Sequence, residues 1–249
     1  MDTLERRWRK LWPHVLQYGP DDERPRPAVI LFHGCGGVRD HLHAYAAQAV
    51  RAGWRAFVVD SFQPRGWSRK FAASFTCLGL AFRGYARAGD VLAAAWGVAR
   101  LPNVEASKLA LAGWSHGAWA VMDLMTLPLT SAGEGRLADP DPRALDGVDR
   151  LFLAYPYLNV IARSRSHVWV RTPRVFAIVP RSDHLASVRT HLRAYAAAVG
   201  AGCDVELWPV DGTHAFDEPG LKVSPRIMRH DPVLARSALE RFGQFLSKA

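Results

Sequence analysis

A serine enclosed by glycines, Gly113-Trp114-Ser115-His116-Gly117, is followed downstream by an aspartate in Arg181-Ser182-Asp183-His184 and a histidine in Asp211-Gly212-Thr213-His214. These are the residue types of nucleophilic attack assisted by a base. A serine hydroxyl attacks poorly until a base removes its proton and a third group orients that base. The G-x-S-x-G spacing suits a sharp strand-to-helix turn that exposes the serine, and the chain order Ser, Asp, His is the one that goes with such a turn. Ser115 is therefore the predicted nucleophile, Asp183 the acid and His214 the base. Asp183 also fits a second role, capping a helix that begins near Leu185. Asp211, which likewise follows a strand-like run, is the alternative acid.

Acyl transfer also needs donors for the oxyanion that develops on the attacked carbonyl. Phe32-His33-Gly34-Cys35-Gly36-Gly37 follows an apolar run, and its backbone N–H groups, Cys35 foremost, are expected to act with the N–H of His116. His33 is expected to hold this loop by hydrogen bonds, and the His116 side chain to point toward its helix. The same glycines do not read as a phosphate cradle, because G-x-G-x-x-G lacks its third glycine and no G-K-[ST] follows. His41 and His43, two positions apart on a predicted helix, make a weak metal pair. No metal and no cofactor is implied.

Alternating elements must position these groups. Short apolar runs at 28–33, 55–60, 108–112, 151–156, 174–180 and 204–210 predict strands covered on both faces. Helical stretches at 41–52, 81–100, 118–127, 186–199 and 232–247 lie between them. This rhythm predicts an α/β fold with a mostly parallel sheet, and right-handed crossovers then gather the loops after the strands on one edge. One domain over 1–249 is expected, with 1–26 as an N-terminal extension and 130–149 as a lid or a surface insertion. A second long connection, 63–73, is basic.

Composition narrows the function class. With 49% hydrophobic and 22% charged residues the chain reads as an ordinary globular protein. It contains no apolar run of the roughly 18–20 residues that span a bilayer. Its charged first ten residues do not resemble a signal peptide, so a cytoplasmic location without membrane contact is expected. The net charge of +9 comes from scattered arginines without a nucleic-acid-binding signature. A solvated basic surface is the expected reading, with no nucleic-acid partner. Three cysteines, Cys35, Cys77 and Cys203, make no framework and are expected to be free thiols. Oligomeric state is not legible.

Taken together, His33-Gly34-Cys35-Gly36-Gly37, Val59-Asp60-Ser61-Phe62 with Pro64-Arg65-Gly66, the pentapeptide around Ser115, Tyr155-Pro156, Asp183 and Gly212-Thr213-His214-Ala215-Phe216 make the chain resemble the dienelactone hydrolase family of α/β-hydrolases. The resemblance runs from about Pro27 to the end. It implies a three-layer α/β sandwich and hydrolysis of small carboxylic esters or lactones through an acyl-enzyme. The nucleophile, acid and base then fall on Ser115, Asp183 and His214. The chain departs from the enzymes that open dienelactone, which use a cysteine nucleophile and a glutamate near the oxyanion loop; here Ser115 and Cys35 stand at those places. Arg65, Arg69 and Arg83 are candidates for holding a substrate carboxylate, and Tyr155 is a further candidate contact for substrate. Two other readings stay open: a peptidase or amidase of the same fold, and a non-catalytic binding protein that has kept it.

Overall fold

The computed structural model describes residues 1–68, 71, 82–158, 160–221, 223–225 and 227–248. Seven strands form one sheet: β1 (Val15–Tyr18), β2 (Arg26–Phe32), β3 (Arg55–Val59), β4 (Val104–Trp114), β5 (Val148–Ala154), β6 (Arg174–Ser182) and β7 (Val205–Thr213), in spatial order β1-β3-β2-β4-β5-β6-β7. All neighbours are parallel except β1, which runs antiparallel to β3 at one edge. Among the described residues the α-helices are α1 (Leu4–Leu11), α2 (Asp40–Arg51), α3 (Gly84–Val98), α4 (His116–Met125), α5 (Val188–Gly200) and α6 (Pro232–Ser247). None of them is long and apolar enough to cross a membrane. The predicted α/β class with a mostly parallel sheet is the observed one.

The inner stretches 28–32 of β2, 109–114 of β4, 151–154 of β5 and 175–180 of β6 carry no charged residue because both faces are covered there. Successive side chains of a strand point to opposite faces. Ile30, Phe32, Leu109, Leu111, Leu151 and Leu153 enter one core with α1, α3, α4 and α5. Their neighbours Val29, Leu31, Ala110, Ala112, Phe152 and Ala154 enter the other, with α2 and α6. The chain leaves β2 for α2 on the second face and leaves the adjacent β4 for α4 on the first. The two connections therefore diverge and open a crevice at the carboxyl ends of β2 and β4, the place where parallel sheets bind ligands.

Two elements escape a reading of the sequence. Segment 1–26, expected as an extension, contains both α1 and β1. Leu4, Arg7 and Leu11 of α1 are buried, and Arg7 donates to Asp90 of α3 at 2.8 Å. An arginine on the buried stripe masks the helical period, and four residues are too few for a strand signal. The 130–149 connection, expected as a lid or a surface insertion, runs between the end of α4 and the start of β5. It packs on α3, where Tyr85 donates to the Gly133 carbonyl, and bridges to Asp2 through Leu137.

Candidate active site

The turn between β4 and α4 has no length to spare. Ser115 adopts φ 49° and ψ −112°, which a residue with a side chain tolerates only at a cost of about 1–3 kcal/mol. Neighbouring contacts hold it there: its N–H donates to the Ala154 carbonyl at 3.0 Å, and its own carbonyl accepts from Trp119 and Tyr157. Glycine is required at position 117, since a Cβ there would stand 2.1 Å from the Phe32 carbonyl oxygen. At position 113 a Cβ would lie 2.6 Å from Cα of Ala118. The tight turn thrusts the Ser115 side chain toward the ends of β6 and β7.

There it meets the two other predicted groups. The Ser115 hydroxyl donates to Nε2 of His214 at 2.8 Å, and Nδ1–H of His214 donates to Oδ2 of Asp183 at 2.8 Å. His214 follows β7 and Asp183 follows β6, so three loops on one sheet edge, after β4, β6 and β7, assemble the set. The capping role read for Asp183 is corrected: α5 begins at Val188 and its N-cap is Ser187, which accepts from the Thr190 N–H, so Asp183 lies in the turn before the helix. The second Asp183 oxygen, Oδ1, accepts from the N–H groups of Leu185 and Ala186, which orients the carboxylate while Oδ2 faces His214. Burial works to raise the Asp183 pKa, but the His214 charge and hydrogen bond, helped by the Leu185 N–H, hold it below the ordinary carboxylate value. Asp211, the alternative acid, is exposed and pairs with Arg181 instead.

The loop after β2 lies against the nucleophile. A Cβ on Gly34 would stand 3.4 Å from Ser115 Cβ and 3.7 Å from Oε1 of Glu218. His33 holds this loop as expected: its Nδ1–H donates to the Gly34 carbonyl at 2.6 Å, and Nε2 accepts from the Ser61 N–H. Opposite, His116 opens α4 and turns its ring away from Ser115, donating from Nε2 to the Phe82 carbonyl at 2.6 Å. Burial, reinforced by the nearby Arg87 charge, holds the His116 pKa well below its ordinary value, so the ring is neutral. One expectation is corrected. Cys35 is disulfide-bonded rather than a free thiol, whereas Cys203 is free and buried. Spacing along a chain does not reveal which sulfurs come within bonding distance. Cys77 lies outside the described residues.

The predicted substrate contacts are differently disposed. Arg65 engages both carboxylate oxygens of Asp90, at 2.8 and 3.0 Å, and also donates to the Ser61 carbonyl. Arg83 is exposed at the start of α3, and Arg69 lies outside the described residues. Tyr155 is fully buried beneath the site: its ring packs edge-on against His214 with centroids 4.8 Å apart, and its hydroxyl donates to Asp217 at 2.5 Å. It supports the base and has no face open to a ligand.

Asp217 and Glu218 escaped the reading of the sequence altogether. Asp217 accepts three buried donors, the hydroxyls of Tyr155 and Tyr45 and the indole N–H of Trp114. Glu218 is buried 3.2 Å from Nε of Arg39, whose Nη2 donates to the Pro219 carbonyl. The loop of His214 is thus clasped to the loop of Cys35. Two acidic residues after a histidine carry no local sign of such partners. Among the described residues no group of three His, Cys, Asp or Glu side chains is arranged to hold a metal ion.

Residues 14–133 match the dienelactone hydrolase family. No curated protein matches the chain by sequence. Among solved structures the fold is similar to that of a Klebsiella pneumoniae protein assigned as a dienelactone hydrolase, with TM-score 0.68 and 13% identity over 94% of this chain and 92% of the other. Esterase 2 of Thermogutta terrifontis with propionate bound also superposes with TM-score 0.68, at 17% identity over 93% and 88% of the two chains. The same esterase phosphorylated by paraoxon gives 0.67 and 18% over 93% and 87%.

Proposed function

We propose, from the match of residues 14–133 to the dienelactone hydrolase family and from the fold this chain shares with solved esterase structures, that it is an α/β-hydrolase that uses a serine to cleave small carboxylic esters or lactones. The observation that carries the proposal is the unbroken relay from Ser115 through His214 to Asp183, both links 2.8 Å, raised on a strained turn at the switch point of the sheet. Ser115 Oγ attacks the carbonyl carbon as its proton passes to His214 Nε2. Asp183 keeps Nδ1 protonated and stabilises the imidazolium. The N–H groups of Cys35 and His116 hold the oxyanion, as befits a loop packed on Ser115 and a helix N-terminus. Collapse returns the proton to the departing alcohol, and water then opens the acyl-enzyme by the same relay.

Neutral substrates are the favoured class, since Arg65 is already bound to Asp90 and Arg83 stands out in solvent. The esterase neighbours, one with propionate bound and one phosphorylated by paraoxon, agree with short acyl groups and a phosphorylatable serine. Labelling with a fluorophosphonate, followed by peptide mapping, tests the reading. Modification at Ser115 is expected, with Ser115→Ala unlabelled and its kcat on p-nitrophenyl acetate lower by about 10⁶. An unlabelled wild-type protein, or full esterase activity in Ser115→Ala, overturns it.

A further inference from the structure

Behind the two loops that flank Ser115 lies a charge that the relay does not use. Arg87, on α3, is wholly buried. Its Nη1 donates both to the His33 carbonyl, at 2.8 Å, and to Nδ1 of His116, at 3.0 Å. Its Nε donates to the Ser61 hydroxyl at 3.2 Å, while Ser61 in turn offers its N–H to His33. Nη2 is buried with no hydrogen-bond partner, and among the described residues no carboxylate approaches Arg87 within ion-pair distance. Asp90, one turn along α3, is occupied by Arg7 and Arg65.

We propose that Arg87 is a positioning residue for this reaction: it ties the loop of Cys35 to the first turn of α4 and places a buried positive charge behind the oxyanion hole. This rests on the serine-hydrolase reading above. One planar group touches the residue that begins the loop of Cys35 and the side chain of His116, whose N–H is the second donor. The separation of the two donors is thereby set by a rigid guanidinium rather than by two independent loops. Burial, and after it the same charge, disfavours protonation of both imidazoles. His33 then donates from Nδ1 to the Gly34 carbonyl, the peptide unit that carries the Cys35 N–H, and His116 stays an acceptor at Nδ1. Burial lowers the Arg87 pKa to about 9. A cation buried without a carboxylate beside it is costly in the resting protein. It gains a counter-charge when the oxyanion forms, which favours the transition state over bound substrate.

Arg87→Met and Arg87→Lys, assayed with p-nitrophenyl acetate beside the wild type, test this. Arg87→Met should lose on the order of 10² in kcat, comparable to loss of one oxyanion donor, with KM within about threefold of the wild type if only the transition state is affected. Inhibition by 1,1,1-trifluoroacetone, whose adduct is itself an oxyanion, should weaken in parallel. Arg87→Lys keeps the charge with a single ammonium and should lose about tenfold in kcat, so it decides the matter should Arg87→Met fail to fold. Wild-type kcat in either variant, or a loss confined to KM, overturns the inference while fluorophosphonate labelling of Ser115 leaves the serine reading standing. If the wild-type protein itself is not labelled, both readings fall.

Discussion

Replacing Asp217 by alanine should show how strongly the site depends on a residue that takes no part in the relay. Its carboxylate is the common acceptor of Tyr45 Oη at 2.8 Å, Trp114 Nε1 at 3.2 Å and Tyr155 Oη at 2.5 Å, all inside the core. Alanine leaves three buried donors orphaned. Each costs about 1–3 kcal/mol, and because neighbours that share a partner relax together, a total of about 3–6 kcal/mol is expected. For a chain of this size each kcal/mol lowers Tm by about 2–4 °C, so a fall on the order of 10 °C should appear in thermal unfolding followed by circular dichroism. Tyr155→Phe removes a donor whose acceptor keeps two other partners, and should cost only about 1 kcal/mol. The double variant should lose less than the two singles combined, since one orphaned donor has been deleted. Activity should fall alongside stability in Asp217→Ala, because Tyr155 packs against His214. A Tm within about 2 °C of the wild type, or strict additivity in the double variant, would refute the account of Asp217 as the shared acceptor.

Two further outcomes are expected. Gly117→Ala drives a Cβ to 2.1 Å from the Phe32 carbonyl oxygen; displacement of the end of β2 should cost about 1–3 kcal/mol in stability and, at about 1 Å of misplacement, roughly 10² in kcat. An alanine variant with wild-type Tm and kcat would count against the turn geometry. Burial, seconded by the Asp217 charge and opposed by Arg39, raises the Glu218 pKa to about 8. Because the folded value lies above the unfolded one, the folded chain holds an extra proton between about pH 4.5 and 8, and the associated stability is complete below this window and lost as pH rises through it. Glu218→Gln should therefore gain in Tm relative to the wild type between pH 5 and pH 8, and a constant difference across that range would contradict the assignment.

Much of the architecture was legible because its causes are local. Six of the seven strands contain an apolar run, which in β2 and β6 follows from stretches buried on both faces, and α6 runs over the predicted 232–247. What local pattern could not show was the edge strand β1, four residues long, or α1, whose buried stripe contains Arg7. The positions of Ser115, Asp183 and His214 after β4, β6 and β7 follow from chain order and from loops that gather on one sheet edge.

The partners of the surrounding polar groups were a different matter. Tyr45 and Asp217 are 172 positions apart, and Trp114 and Asp217 are 103 apart, so no window of sequence contains the bond. Tyr155 looked like a substrate contact and Arg65 like a carboxylate receptor until packing gave each an internal partner in Asp217 and Asp90. The sequence by itself determined the sheet, the strained turn at Ser115 and the order of the three groups, because backbone preference and apolar periodicity act between near neighbours. Only the tertiary structure decided which polar groups are buried together. Burial takes water away, and Asp217, Glu218 and Arg87 then have the protein partners, and Glu218 and Arg87 the shifted pKa values, that follow from the few groups folding has brought within reach.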